Sequence, residues 1–152
     1  IYWEYGDYIG VGPGAHGRIS INSDIVTNDD SMDDMLDDAN RYKVANRDHQ
    51  APQIWLDRVI LKGHGAHPEQ ALSPREKFLE ALMMGLRLRE GITLEHLRAK
   101  SGIKPAEALD QKKLRKLVSE GWLSGEADRL RLTREGWLRL NAIVPFMLKD
   151  GF

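Results

Sequence analysis

Apolar positions along this chain recur in two rhythms. Arg18-Ile19-Ser20-Ile21 and Arg41-Tyr42-Lys43-Val44-Ala45 alternate polar with apolar, the period of a half-buried strand. Their spacing predicts an antiparallel pair, with the aspartate-rich residues between them as a long connection. Upstream, Tyr8-Ile9-Gly10-Val11 reads as a short strand entering a glycine-rich loop. From Ala51 the period lengthens: Pro52 suits a first helical turn, Ile54, Trp55, Val59 and Ile60 fall at helical spacing, and Gly63 stops the run. Gly63-His64-Gly65-Ala66-His67-Pro68 then reads as a linker.

A second series of helices follows. Ser73-Pro74-Arg75-Glu76 has the form of a capping box, and the helix it opens points Phe78, Leu79, Leu82, Met83 and Leu86 inward and stops before Gly91. Thr93 caps another, with Leu94, Leu97 and Ala99 inward, ending at Gly102. A third is expected over 105–120, with Leu109, Leu114, Leu117 and Val118 apolar. Trp122-Leu123 and Leu130-Arg131-Leu132 flank a polar turn and read as a hairpin, and Thr133 caps a last helix reaching Leu148. Three helices, a hairpin and a helix follow the order of a winged-helix module. The fold class expected is α+β: residues 1–62 as short strands, loop and hairpin with an acidic insertion at about 22–40, a linker at 63–72, and a mostly helical domain over 73–152.

Composition supports globular folding: 41% of the 152 residues are hydrophobic and 30% charged. The net charge of −1 hides an asymmetry. Residues 1–75 hold 7 Lys and Arg against 12 Asp and Glu, whereas residues 76–152 hold 15 against 11, giving −5 and +4. No apolar run approaches the roughly 20 residues of a membrane-spanning helix. With no cysteine, the chain has no thiolate nucleophile, disulfide, zinc-thiolate site or cysteine-held cluster. It opens on Ile1 at full sequence complexity, without a basic or apolar leader, and is read as a piece cut from a longer cytoplasmic protein.

The candidate chemistry is sparse. Gly10, Gly12, Gly14 and Gly17 with Pro13 make a loop able to bring backbone close to a ligand, or simply a tight connection between strands. They do not form the dinucleotide fingerprint, because Arg18-Ile19-Ser20-Ile21 continues as a strand rather than a helix. Seven aspartates crowd residues 24–38, but no register supplies the glycine of a calcium loop. His64 and His67 lie on the linker and read as bystanders rather than metal or haem ligands. Lys112, Lys113, Arg115 and Lys116 would face the major groove if the third helix bound DNA. Glu107, Asp110 and Glu120 on the same stretch oppose phosphate, so a solvated amphipathic face is the simpler reading and nucleic acid is not the expected partner.

The run Tyr2-Trp3-x-x-Gly6-Asp7-Tyr8-Ile9-Gly10-Val11-Gly12-Pro13-Gly14-Ala15-His16 resembles a motif of the oxygen-independent coproporphyrinogen III oxidase family, particularly its haem-chaperone branch. Leu72-Ser73-x-x-Glu76, Glu80-x-x-Met83-Met84-Gly85-Leu86-Arg87-Leu88-x-Glu90-Gly91-Ile92 and Leu132-Thr133-x-x-Gly136 resemble that family's carboxy-terminal domain, in the same order. The resemblance implies a parent protein of the radical S-adenosylmethionine type, with an amino-terminal barrel that holds a [4Fe–4S] cluster on three cysteines and whose carboxy-terminal end residues 1–62 would form. Without those cysteines the radical step is unavailable to this chain alone.

In the haem-chaperone branch a His-Asn-x-x-Tyr-Trp motif accompanies haem binding, and Tyr2-Trp3 resemble its last two residues. The haem- or substrate-binding residues implied here are Tyr2, Trp3, Asp7, Gly10, Gly12, Gly14, Ala15 and His16, with no catalytic residue and no metal ligand. The implied partners are haem or porphyrin, the missing barrel and a haem-accepting protein. Coproporphyrinogen oxidation is the alternative within the family, and a winged-helix nucleic-acid binder the alternative from another class.

Overall fold

Alternation in the sequence becomes a hairpin in the structure. β1 (His16–Asn22) pairs antiparallel with β2 (Arg41–Arg47), in a register that sets Arg18 opposite Ala45, Ile19 opposite Val44, Ser20 opposite Lys43 and Ile21 opposite Tyr42. The computed structural model describes residues 2–22 and 41–152, so the aspartate-rich connection lies outside the described residues. Two compact units form: Gly6–Ser73 with Tyr2, and Pro74–Phe152 with Trp3–Tyr5.

The first of these units is built on the hairpin. α1 (Pro52–Lys62) follows, with Pro52 in its first turn and Gly63 closing it in the left-handed conformation. Its helical rhythm is as read, yet none of its residues is buried: Ile54, Leu56, Ile60 and Leu61 stay 45, 44, 71 and 81% exposed. The linker is less free than its composition suggests, because its backbone is used. β3 (Gln70–Ala71) adds to the hairpin beside Val44 and Ala45, His67 N–H donates to Arg47 O at 2.8 Å, and Ala66 bridges Asp48. Tyr42, Val44 and Leu72 form the small buried centre of this unit.

The other unit carries most of the core. α2 (Pro74–Gly85) buries Phe78, Ala81 and Leu82 completely; Met83, expected inward, is 38% exposed. The helix ends at Gly85 rather than near Gly91, and 86–90 continue as turns, with Leu86 still fully buried. β4 (Ile92–Thr93) leads into α3 (Leu94–Ser101), where the Thr93 hydroxyl accepts from His96 N–H at 3.1 Å and Gly102 closes the end. Leu97 is buried, but Ala99 faces solvent.

Three expectations for this unit are corrected. The single helix over 105–120 is two, α4 (Pro105–Ala108) and α5 (Gln111–Ser119). Leu109 adopts an extended conformation, is buried and bridges Leu148, while the Asp110 carboxylate accepts from Lys112 and Lys113 N–H. An aspartate gains more by capping than by lying inside a helix, so the break falls there. The hairpin around the Ser124–Asp128 turn shrinks to one bridge between Leu123 and Leu132. β5 (Arg129–Leu130) pairs instead with β4, Leu130 opposite Ile92. The last helix is likewise divided, into α6 (Arg134–Trp137) and α7 (Leu140–Met147). Arg139 N–H closes back to Gly136 O at 2.9 Å, a tight turn that ends α6 early. The architecture is α+β, with small antiparallel sheets and mostly helical packing after residue 73.

Candidate functional site

The residues implied by the family motif sit on a stretch that the fold holds firmly. Tyr2–Glu4 form one 3-10 turn. Tyr5 follows in the left-handed region, φ 58°, a conformation that costs a non-glycine residue about 1 kcal/mol or more. Its ring is fully buried with Phe78 and Leu82 in the core of the helical unit, and its hydroxyl donates to Glu80 Oε2 at 2.8 Å. Burial of so large a ring, worth about 2 kcal/mol, offsets the backbone strain. In the same unit Trp3 is 44% exposed and lines a cleft of about 170 Å³ with Leu88, Ile92 and His96. His96 lies with its Nε2 2.8 Å from Glu4 O. That cleft is below the roughly 300–1,000 Å³ of an ordinary ligand pocket. His96 went unread in the sequence, where it is only the third residue of a capped helix.

Asp7, in the hairpin unit, is the most heavily bonded of these residues. Its Oδ2 accepts from Ser20 N–H and its Oδ1 from the Ser20 hydroxyl and Lys43 Nζ, all at 2.9 Å. Lys43 is itself 8% exposed. Partial burial pushes the Asp7 carboxyl up, but the Lys43 and Ser20 hydrogen bonds and the lysine charge outweigh it, so the pKa lies below 3.8. Neither Ser20 nor Lys43 was singled out by the sequence. The signal lay in the strand register, which sets these two opposite one another.

Asp7 is followed by Tyr8, which bridges Arg18 through a pair of backbone hydrogen bonds of 2.8 and 2.9 Å and meets Tyr2 edge-on, centroids 4.6 Å apart. The glycine loop therefore closes as a connection between strands. A Cβ on Gly10 would fall 2.3 Å from His16 O, so glycine is required there for close approach. Gly14 N–H donates to His49 O at 2.9 Å and Ala15 N–H to Gly12 O at 3.0 Å, bonds that keep these donors within the unit. Gly12 lies at φ 105° with open space around its α-carbon. His16 begins β1 and is exposed; Ile9 and Val11 reach 72 and 87% exposure. The fold thus keeps Tyr2, Asp7, Gly10, Gly12, Gly14, Ala15 and His16 within this unit, and Trp3 belongs to the other.

Elsewhere, His67 stacks on His49 at 5.5 Å between centroids. Among the described residues no three His, Asp or Glu side chains gather as a metal site. Lys113, on the face considered for DNA, is tied to Asp150 at 2.7 Å and to Leu148 O at 2.9 Å, and Lys116 lies over the Phe146 ring. No helix among the described residues is long and apolar enough to cross a membrane.

Comparison with known proteins points one way. Residues 72–139 match the family described as "HemN C-terminal domain". The chain is 30% identical to the mitochondrial radical S-adenosyl methionine domain-containing protein 1 of Danio rerio, over 98% of this chain and 31% of that protein. It is 28% identical to the heme chaperone HemW of Buchnera aphidicola subsp. Acyrthosiphon pisum, over 97% of this chain and 33% of that protein. It therefore spans about a third of the length of the curated relatives it matches. In fold it is similar to the coproporphyrinogen III oxidase HemN of Escherichia coli, a radical SAM enzyme, with a TM-score of 0.52 at 14% identity over 70% of this chain and 26% of that one.

Proposed function

We propose that this chain, which belongs to the oxygen-independent coproporphyrinogen III oxidase-like family, is the part of a haem chaperone that completes and closes a haem or porphyrin site. One observation carries the reading: a rigid edge left without apolar cover. Asp7, Tyr8, Gly14 and Ala15 are fixed by hydrogen bonds, yet the Ile9 and Val11 side chains between them remain largely in water and Tyr2 stays 43% exposed. Exposed apolar groups on a fixed scaffold mark a surface that meets something else. The occupants that suit it are the flat face of a porphyrin and the remaining two thirds of a longer protein, including a barrel.

In this reading Tyr2, in the hairpin unit, supplies a flat wall to the macrocycle. Gly12, whose α-carbon faces open space, leaves room for its edge; Gly10, Gly14 and Ala15 hold the turn that presents it, and His16 stands at the rim. Asp7 touches no ligand; it positions the turn by holding Ser20 and Lys43. A [4Fe–4S] cluster with S-adenosylmethionine supplies radical chemistry where a protein holds it. This chain has no cysteine to ligate one, so that chemistry falls to the parent. Coproporphyrinogen oxidation is the second reading, favoured by the likeness of fold alone. A cytoplasmic setting belongs to the bacterial form of the reading, while the Danio rerio relative is mitochondrial by name.

The test is a haem titration followed in the Soret band, comparing this chain with one extended upstream through the His-Asn of the motif. The extended chain should bind at least about tenfold more tightly, a difference of about 1.4 kcal/mol. Equal affinity would mean that the ligand has been misplaced.

A further inference from the structure

The helical unit has a second feature that the porphyrin reading does not use. Arg87, just past α2, and Trp137 to Ala142, across the break between α6 and α7, line an open cleft of about 490 Å³. Its floor is apolar and unprotected: Trp137 is 55% and Leu138 76% exposed. Its charge is of one sign. Arg87 and Arg139 both line it, and no carboxylate does.

Both guanidiniums are held in place without being neutralised. Arg87 Nη1 donates to Met83 O at 2.8 Å, and Arg139 Nη1 donates to Glu135 O at 2.8 Å while its guanidinium lies 5.3 Å from the centroid of the Trp122 ring. Each of these bonds goes to a backbone carbonyl. A guanidinium carries five N–H donors, so each arginine keeps a fork for a carboxylate. Neither is in a salt bridge among the described residues.

We propose that this cleft docks an acidic segment of a partner protein, with Asp or Glu side chains on Arg87 and Arg139 and an apolar side chain between them on Trp137 and Leu138. The inference is independent of the porphyrin reading. Charge complementarity selects an acidic occupant. The shallow form of the cleft selects a protein segment over a small molecule, because small ligands bury roughly 70–90% of their surface and the Trp137 and Leu138 walls are themselves mostly in water. Trp and Arg are also the residues that most often dominate the energy of protein interfaces. A nucleic acid is disfavoured by the charge available, two cations where a duplex contact uses roughly 6–10.

The experiment uses the whole 152-residue chain and a fluorescein-labelled peptide with a central Phe flanked on each side by Asp and Glu. Two control peptides replace the acids by Lys, or the Phe by Ser. Binding is read by anisotropy, and its place by amide chemical-shift changes. The acidic Phe peptide should bind at least about tenfold better than either control, weaken with salt, and shift resonances of residues 87 and 137–142. Arg87→Gln and Leu138→Ser should each reduce its affinity severalfold with the far-UV spectrum unchanged. Arg139→Gln is the second charge variant, and Leu138→Asp serves if that one unfolds. Equal binding of all three peptides, shifts located elsewhere, or affinity unmoved by Arg87→Gln and Leu138→Ser would overturn the proposal. So would protection of Trp137 from hydroxyl-radical oxidation in the full-length parent without a partner, which would make the cleft an internal contact of that protein.

Discussion

Replacing Asp7 by Asn removes a charge and leaves the shape of the side chain intact. Three contacts of 2.9 Å depend on that carboxylate, one of them from a lysine only 8% exposed. Hydrogen bonds to a charged group contribute about 1.5–3 kcal/mol when shielded, but nearly half of the Asp7 side chain, 46%, is in water. After discounting for solvent screening, and since an amide can still accept from Ser20 N–H, the expected loss is about 2 kcal/mol. Urea unfolding followed by circular dichroism should then move its midpoint by about 0.7–2 M, given slopes of about 1–3 kcal/mol per molar for small proteins. The sign of the pH dependence follows from the depressed pKa. Asp7 is charged in the folded protein to lower pH than in the unfolded chain, so its contribution is complete above the unfolded carboxyl pKa of about 4 and fades as pH falls through the folded value. The gap between the native chain and Asp7→Asn should therefore be widest near pH 6 and close toward pH 2. Coincident unfolding curves at pH 6, or a gap that persists unchanged to pH 2, would refute the reasoning.

Two further substitutions probe the supports of the site. Tyr5→Phe removes only the hydroxyl that donates to Glu80 at 2.8 Å and should cost about 1 kcal/mol in denaturant titration with the fold retained; no change would mean that the ring alone anchors this segment. Gly136→Ala would place a Cβ 1.9 Å from Trp122 O, backbone that cannot swing aside, so the variant should lose about 2 kcal/mol or more, or fail to fold, and a native-like melting temperature would contradict the packing described.

Local chemistry was legible in the sequence and distant pairing was not. Alternation at 18–21 and 42–45 marked the two strands of the hairpin, while the register that sets Ser20 opposite Lys43 came only with the fold. Gly63, Thr93 and Gly102 marked helix ends by residue type alone. The break at Leu109 was hidden, since apolar spacing runs on through it; the Asp110 cap marks it locally, and the contact of Leu109 with Leu148, 39 residues later, holds it open. β4 and β5 are two residues each and 36 residues apart, too short to leave a periodic trace. In the site, the family motif named Asp7 and the glycine loop. It did not reveal that Asp7 is spent on Ser20 and Lys43, or that Tyr5, unmarked in the motif, is the buried anchor.

The central claim is that the exposed edge of the hairpin unit contacts a porphyrin. It is tested most directly by titrating haem into the full-length parent protein and into its Tyr2→Ala variant. Loss of that flat contact should weaken haem severalfold, with the shape of the Soret band altered and the melting temperature nearly unchanged. Identical affinity and an identical spectrum in the two proteins would contradict the account.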